Sequence, residues 1–335
     1  MPVNCLVLYS GGLDSILACR VLQEQGVRPL ALRFITPFFG WSLKGNEEAE
    51  TQRVRREYGI ELLIQDISRD FLQMVTKPAH GYGRYLNPCI DCKILMVKRA
   101  LSMMDALDAS FLATGEVLGQ RPMSQRKDTL RIIERDSGAE GIILRPLSAG
   151  LLPETLAEQK HLVKRHLLPR ISGRGRKMQI ALAKRYGIEN YPAPAGGCVL
   201  ADPILSRRFK AIFTTWPEFT ITDCLTAQTG RHFMLEDKTW IIVGRKHSEN
   251  LRLEKLARHS DITLKPLDVP GPFCIIRYPG SEEAVETAAR IVARYSKTSG
   301  ATPLSVSARR VEGGLSRTIR TGKPATDLEL DGWRF

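Results

Sequence analysis

The stretch LVLYSGGLDSILACRVLQEQG, residues 6–26, decides how this chain is read. An apolar run meets Ser10-Gly11-Gly12-Leu13-Asp14-Ser15, and an amphipathic segment follows. The pattern predicts a buried strand over 4–9, a tight loop, and a helix over 14–25. Gly11 and Gly12 let the backbone turn sharply and aim N–H groups inward. The helix that follows presents its positive end, and Ser10 and Ser15 add hydroxyl donors. Together these make a pyrophosphate cradle. Asp14 is placed to hold Mg²⁺ or to cap the helix. The loop lacks the lysine of a Walker-type loop, so its charge partner and its substrate are open questions.

Outward from this loop, strands are expected at 28–36, 61–68, 109–117 and 140–150. Helices are expected at 46–59, 92–108 and 152–162, the last opening on Pro153-Glu154. Strands alternating with helices imply an α/β domain, a parallel sheet with helices on both faces. Ligands bind such sheets at the carboxyl ends of the strands. The loops at 10–15, 36–45 and 114–120 all follow strands and converge there. Beyond residue 205 the pattern turns α+β, with helices at 249–259 and 281–296. The expected domains are therefore 1–205 and a smaller 206–335.

The net charge of +13 asks for an anionic partner, nucleic acid first. Between Glu158 and Glu189 there is no acidic residue. That interval carries nine Lys or Arg, among them Lys164, Arg165, Arg170, Arg174, Arg176 and Lys177. Such a run suits a phosphate backbone. No apolar stretch is long enough to cross a membrane, and the start lacks a signal-peptide pattern. With seven cysteines, an odd number, a reducing, cytoplasmic location is expected. Cys5, Cys19, Cys224 and Cys274 read as core residues. His161, His166, His232, His247 and His259 have no metal-like spacing and read as surface or phosphate contacts, whereas His80 is placed to line a site.

Cys89 and Cys92 form a C-x-x-C at a helix start, where the helix end would favour thiolate. A structural pair, a redox disulfide, a zinc half-site and an iron–sulfur half-site all fit that spacing. Cys198, flanked by Gly196 and Gly197, is the distant third cysteine. Three cysteines would leave an iron–sulfur cluster with one open iron, a seat for sulfide.

The string SGGLDS resembles the PP-loop of the ATP pyrophosphatases, which split ATP into AMP and pyrophosphate. With NPCIDC (87–92) and a later lone cysteine, the order resembles the tRNA 2-thiouridylases. The segment ATGEVLGQRPMSQ (113–125) is similar to the 4-thiouridine synthetases, in which it forms part of the nucleotide site. The resemblance covers about 1–205, and no rhodanese-like extension or preceding tRNA module is expected. It implies ATP and Mg²⁺ at Ser10, Gly11, Gly12, Leu13, Asp14 and Ser15. Phe34, Thr114, Gly115 and Gln120 complete the expected nucleotide site. It further implies adenylation of a base carbonyl in RNA, a tRNA uridine, followed by attack of sulfur, with Asp14, Cys89 and Cys198 as the catalytic residues. Either Cys89, Cys92 and Cys198 hold a [4Fe-4S] cluster, or Cys198 carries a persulfide that Cys89 resolves. A cysteine desulfurase or another sulfur donor is the implied second partner. Residues 240–277 resemble the RNA-binding module of the NFACT family, through Gly244, Arg245, Asn250, Asp261 and Pro270-Gly271. Arg245 joins the RNA-binding candidates. The alternatives are a PP-loop amide ligase or thiolase acting on a small molecule, and a non-catalytic RNA-binding protein.

Overall fold

The computed structural model describes residues 3–193, 198–278, 281–297, 303–314 and 316–335. Gly196 and Gly197 lie outside them. The chain divides into two compact units, Met1–Asp202 and Pro203–Phe335.

In the first unit, strands β1 (Asn4–Leu8), β2 (Arg28–Ile35), β3 (Glu61–Asp66), β4 (Phe111–Thr114) and β5 (Ile143–Leu144) form one sheet. Its order is β3-β2-β1-β4-β5, and each neighbouring pair is parallel. The helices between them are α1 (Leu13–Glu24), α2 (Glu47–Tyr58), α3 (Ser68–Thr76), α4 (Cys89–Leu101) and α5 (Lys127–Ser137). The short α6 (Leu156–Gln159) and α7 (Lys177–Arg185) follow. Alternation along β1 explains the layers. Cys5 and Val7 enter a core shared with α1 and α7, whereas Leu6 enters one shared with α4 and α5. Burying each such aliphatic side chain contributes about 1.5–3 kcal/mol. The sheet order reverses at β1, so the loops after β1 and β4 flank the crevice at the switch point.

Two expectations fail locally. The strand over 140–150 shrinks to Ile143–Leu144, because Pro146 offers no N–H to a ladder. The helix over 152–162 is only Leu156–Gln159. Thr155 opens it through a capping box with Glu158, leaving Pro153-Glu154 outside.

The second unit begins with α8 (Pro203–Thr215) and α9 (Ile221–Ala227). Strands β6 (Arg231–Met234), β7 (Trp240–Val243), β8 (Ile262–Pro266), β9 (Cys274–Arg277), β10 (Ser305–Arg310) and β11 (Ser316–Arg320) form an antiparallel sheet, order β11-β10-β8-β9-β7-β6. Helices α10 (His247–Leu256), α11 (Glu282–Arg294) and α12 (Asp327–Trp333) complete it. Val285, Ala288 and Val292 of α11 pack with Phe233, Ile241 and Ile276 of the sheet. Arg277, 1 % exposed, is neutralised by Asp261 at 2.8 Å and Asp223 at 3.1 Å. An unpaired charge so deep would be costly, and here both carboxylates answer it.

Candidate active site

The loop after β1 is knit by its own hydroxyls. Ser15 Oγ donates to Gly12 O at 2.8 Å and lies 3.3 Å from Ser10 Oγ, which accepts from Gly12 N at 3.3 Å. Gly12 caps α1 without a side chain, so the first-turn amides keep their anion-binding character. Gly11 has φ +81°, a conformation that L side chains rarely adopt. A Cβ there would stand 2.8 Å from Arg33 Nη1. Arg33 on β2 lays its guanidinium against the loop, held by Glu50 at 2.8 Å. Sequence reading missed it, because Arg33 lies inside a predicted strand, far from the motif.

The loop after β4 closes on the same point. A Cβ on Gly115 would sit 2.6 Å from both the N and the Cα of Ser15, so only glycine allows this approach. Gln120 Nε2 donates to Asp14 Oδ2 at 3.0 Å. Asp14 makes no cap on α1. Its Oδ1 and the Oε1 of Gln120 are buried without a partner. Thr114 Oγ1 donates to Glu116 Oε2 at 3.2 Å. Burial alone would raise the Glu116 carboxyl. Lys93 and Arg145 outweigh that and hold it below the usual carboxylate range. Leu13 is core. So is Phe34, whose ring belongs to the cluster beneath α4.

α4 begins at Cys89, so Cys89 and Cys92 stand one turn apart. Cys89 Sγ donates to Asn87 Oδ1 at 3.1 Å. Cys198 Sγ lies 3.9 Å from Phe38 O. Burial pushes the Cys92 thiol up to about 12, with Cys198 and Cys89 adding to the rise. Burial takes Cys198 to about 11, and Cys89 contributes. Cys89 is raised by burial too, against Asn87 and Lys93. The three thiols therefore sense one another. The expected thiolates are overturned, because desolvation exceeds the pull of the helix end. Among the described residues no three His, Cys, Asp or Glu side chains are gathered to hold a metal ion. Cys5, Cys19, Cys224 and Cys274 are core, at 0–1 % exposure.

Asp91, between the two cysteines, is buried and accepts from Ala79 N and His80 N at 3.1 and 3.0 Å. His80 Nδ1 is 3.1 Å from Asp91 and Nε2 is 2.8 Å from Asp136. His80 thus clamps the cysteine helix to α5. The hydrogen bond to Asp91 raises its pKa above the usual value. A group raised on folding stabilises fully below its unfolded pKa of about 6.5 and loses that contribution as pH rises through its folded value. The melting-temperature gap between wild type and His80→Ala should therefore be larger at pH 6 than at pH 9. An equal gap at both would show that the imidazolium does not carry the clamp.

Of the basic candidates, Lys164, Arg170, Arg174 and Lys177 are exposed. Arg176 is half-buried, with Nε unpartnered. Arg165 is paired with Glu158 and donates to Leu152 O. In the second unit Arg245 donates to Gly230 O at 2.6 Å. Asn250 accepts from Phe273 N at 3.1 Å, and a Cβ on Gly244 would overlap its Oδ1, so these residues fix a turn. His232 is core rather than surface. It accepts from Trp240 Nε1 at 3.1 Å, and burial lowers its pKa.

Residues 3–151 match the family model of the thiamine biosynthesis protein (ThiI), and residues 230–334 match that of the NFACT protein RNA binding domain. The chain thus resembles the ThiI family over its first unit and the NFACT RNA binding domain over much of its second. The chain is 30% identical to a tRNA-specific 2-thiouridylase MnmA 3 of Phocaeicola vulgatus, over 39% of this chain and 37% of that one. It is 32% identical to a probable tRNA sulfurtransferase of Methanocaldococcus jannaschii, over 42% and 36%. The match spans little more than a third of these relatives' length. Among solved structures, a 4-thiouridine synthetase–RNA complex with bound ATP shares 21% identity over 55% of this chain and 50% of that one, TM-score 0.35. The U34-tRNA thiolase NcsA of Methanococcus maripaludis with its [4Fe-4S] cluster shares 18% over 67% and 70%, TM-score 0.32. Among the described residues no helix is long and apolar enough to cross a membrane.

Proposed function

We propose that this chain replaces a carbonyl oxygen of an RNA base, a uridine of tRNA, with sulfur at the expense of ATP. One observation carries the reading. Lys93, the residue after Cys92, lies 3.4 Å from Glu116, the residue after Gly115. The thiols and the phosphate cradle are thus held on one scaffold.

The residues suit the groups this chemistry needs. Gly11, Gly115 and Arg33 shape a cradle for the ATP phosphates. The unpartnered oxygens of Asp14 and Gln120 suit a hard cation such as Mg²⁺. Cys89, Cys92 and Cys198 are soft donors that would hold a [4Fe-4S] cluster, which when bound supplies an open iron for sulfide. The persulfide route fits less well. Its two thiols are both raised by burial, Cys198 to about 11, which slows their attack.

The base carbonyl oxygen attacks the α-phosphorus, and the bond to pyrophosphate breaks. Loop amides and Arg33 stabilise the charge on the departing pyrophosphate. Sulfur then adds to the activated carbon, and AMP leaves with the original oxygen. The target base must leave its stack to reach the crevice. Lys164, Arg170, Arg174 and Lys177 position the RNA by its phosphates, with the NFACT-type domain as a further contact. A cysteine desulfurase or another donor supplies the sulfur. The test is mass spectrometry of tRNA nucleosides from a deletion strain. One thionucleoside should be missing, and an unchanged profile would sink the reading.

A further inference from the structure

Tyr82, Tyr85 and Met123 are large side chains left exposed, Tyr85 at 45 %. They come from two loops that meet beside the cysteines, since a Cβ on Gly83 would overlap the end of the Met123 side chain. Gly83 N donates to Asn87 O at 2.8 Å, and Asn87 Oδ1 is the acceptor of Cys89 Sγ. Leu86 N donates to Leu200 O at 3.2 Å, which ties the first loop to the segment after Cys198. The second loop carries Gln120, the partner of Asp14. The patch therefore borders both the thiols and the cradle. Tyr82 is pinned there, its hydroxyl donating to Val75 O at 2.7 Å and to Thr76 O at 3.1 Å. Tyr85 is held at a cost. Its φ is +58°, an outlier for a bulky residue, and such strain gathers at functional sites. Arg84 lays its guanidinium over the ring, 5.2 Å from the centroid. The Tyr85 hydroxyl has no partner among the described residues. Neither 81–88 nor 118–127 contains a carboxylate. Arg84 and Arg121 are exposed and form no ion pair among the described residues.

We infer that the Tyr85 ring is a platform on which an unpaired RNA base stacks, with Tyr82 and Met123 beside it and Arg84 and Arg121 answering the flanking phosphates. Unstacked bases are taken up on aromatic rings and arginine planes, and rings interleaved with cations are what a single strand requires. A protein partner would meet two unpaired guanidinium groups within its contact, whereas an RNA strand brings a phosphate for each. A base that has left its stack needs a surface to hold it while it is out, and this surface lies against the sulfur-bearing loop. That the base is the one to be thiolated rests on the thiolation reading. That the patch takes an unpaired base does not.

The test uses the full chain and titrates binding of single-stranded oligouridylate, and of the same oligomer annealed to oligoadenylate, across salt concentrations. Tyr85→Gly removes the ring and relieves the positive φ, so the fold is spared. It should lose about tenfold in affinity for the single strand, with the salt slope unchanged and the duplex affinity kept. Tyr85→Phe keeps the ring and should retain most of the single-strand affinity. Arg84→Ala should instead make the single-strand slope shallower by about 0.7. An unaltered single-strand affinity in Tyr85→Gly, an equal loss on the duplex, or an equal loss in Tyr85→Phe overturns the platform. So does a Tyr85→Gly protein that binds RNA as wild type but takes sulfur poorly from a protein donor, which assigns the patch to that donor. The two failures separate. A wild-type chain that thiolates tRNA, with Tyr85→Gly matching it in kcat and KM, removes the platform and keeps the function. A chain that never thiolates, yet binds single strands through Tyr85, does the reverse.

Discussion

Arg33→Gln should slow release of pyrophosphate from ATP about a hundredfold, a loss of ~2.7 kcal/mol of transition-state stabilisation. The cradle carries no lysine, and Arg33 is the cation that touches it through Gly11. Its charge matters most when the bond to pyrophosphate breaks and negative charge gathers on the leaving group. The effect should therefore fall on kcat, with a smaller rise in KM for ATP. Folding should survive the change. Glu50, the partner Arg33 would abandon, keeps two contacts from Arg53, at 2.8 and 2.9 Å. No uncompensated buried carboxylate is created. Arg33→Lys should recover part of the rate, since it restores charge without the planar fork. An unchanged kcat in a folded Arg33→Gln protein would mean that the loop amides and Mg²⁺ alone carry the pyrophosphate.

The loop and the sheet were legible because their signals are local. SGGLDS lies between an apolar run and a helical pattern, and each neighbouring strand carries its own alternation. What the sequence hid is relational. Arg33 reaches the loop from another strand, and Gln120 reaches Asp14 across 106 residues. No spacing rule reports such pairs. Phe34 shows a related limit, since strand position fixes a face only once the covering helix is known, and α4 covers that face. The cysteines were found, but their ionisation was misjudged. A helix start lowers a thiol's pKa by a modest field, whereas burial raises it by more, and burial is invisible in a C-x-x-C. Asp91 and His80 show the same limit. A residue between two cysteines reads as filler until its carboxylate is seen holding the preceding loop.

Replacing Cys89, Cys92 or Cys198 by Ala should each reduce thionucleoside formation to below about a thousandth of wild type, because a set of residues acting as a unit fails together. Each change should also strip iron from anaerobically purified protein, which in the wild type should hold about four irons per chain. Release of pyrophosphate from ATP should survive, since among the described residues no cysteine sulfur hydrogen-bonds to Ser10–Ser15, Gly115 or Arg33, which build the cradle. That dissociation separates sulfur delivery from activation. Cys5→Ala and Cys274→Ala serve as controls, since both side chains lie in cores at 0–1 % exposure and should leave the iron content unchanged. The pKa directions sharpen the choice between routes. Without a metal the three thiols share a desolvated setting that keeps them protonated, and a bound metal would displace those protons outright. Iron-free protein that thiolates fully from a persulfide donor, with Cys92→Ala still active, would overturn the cluster and return Cys198 and Cys89 to the persulfide route.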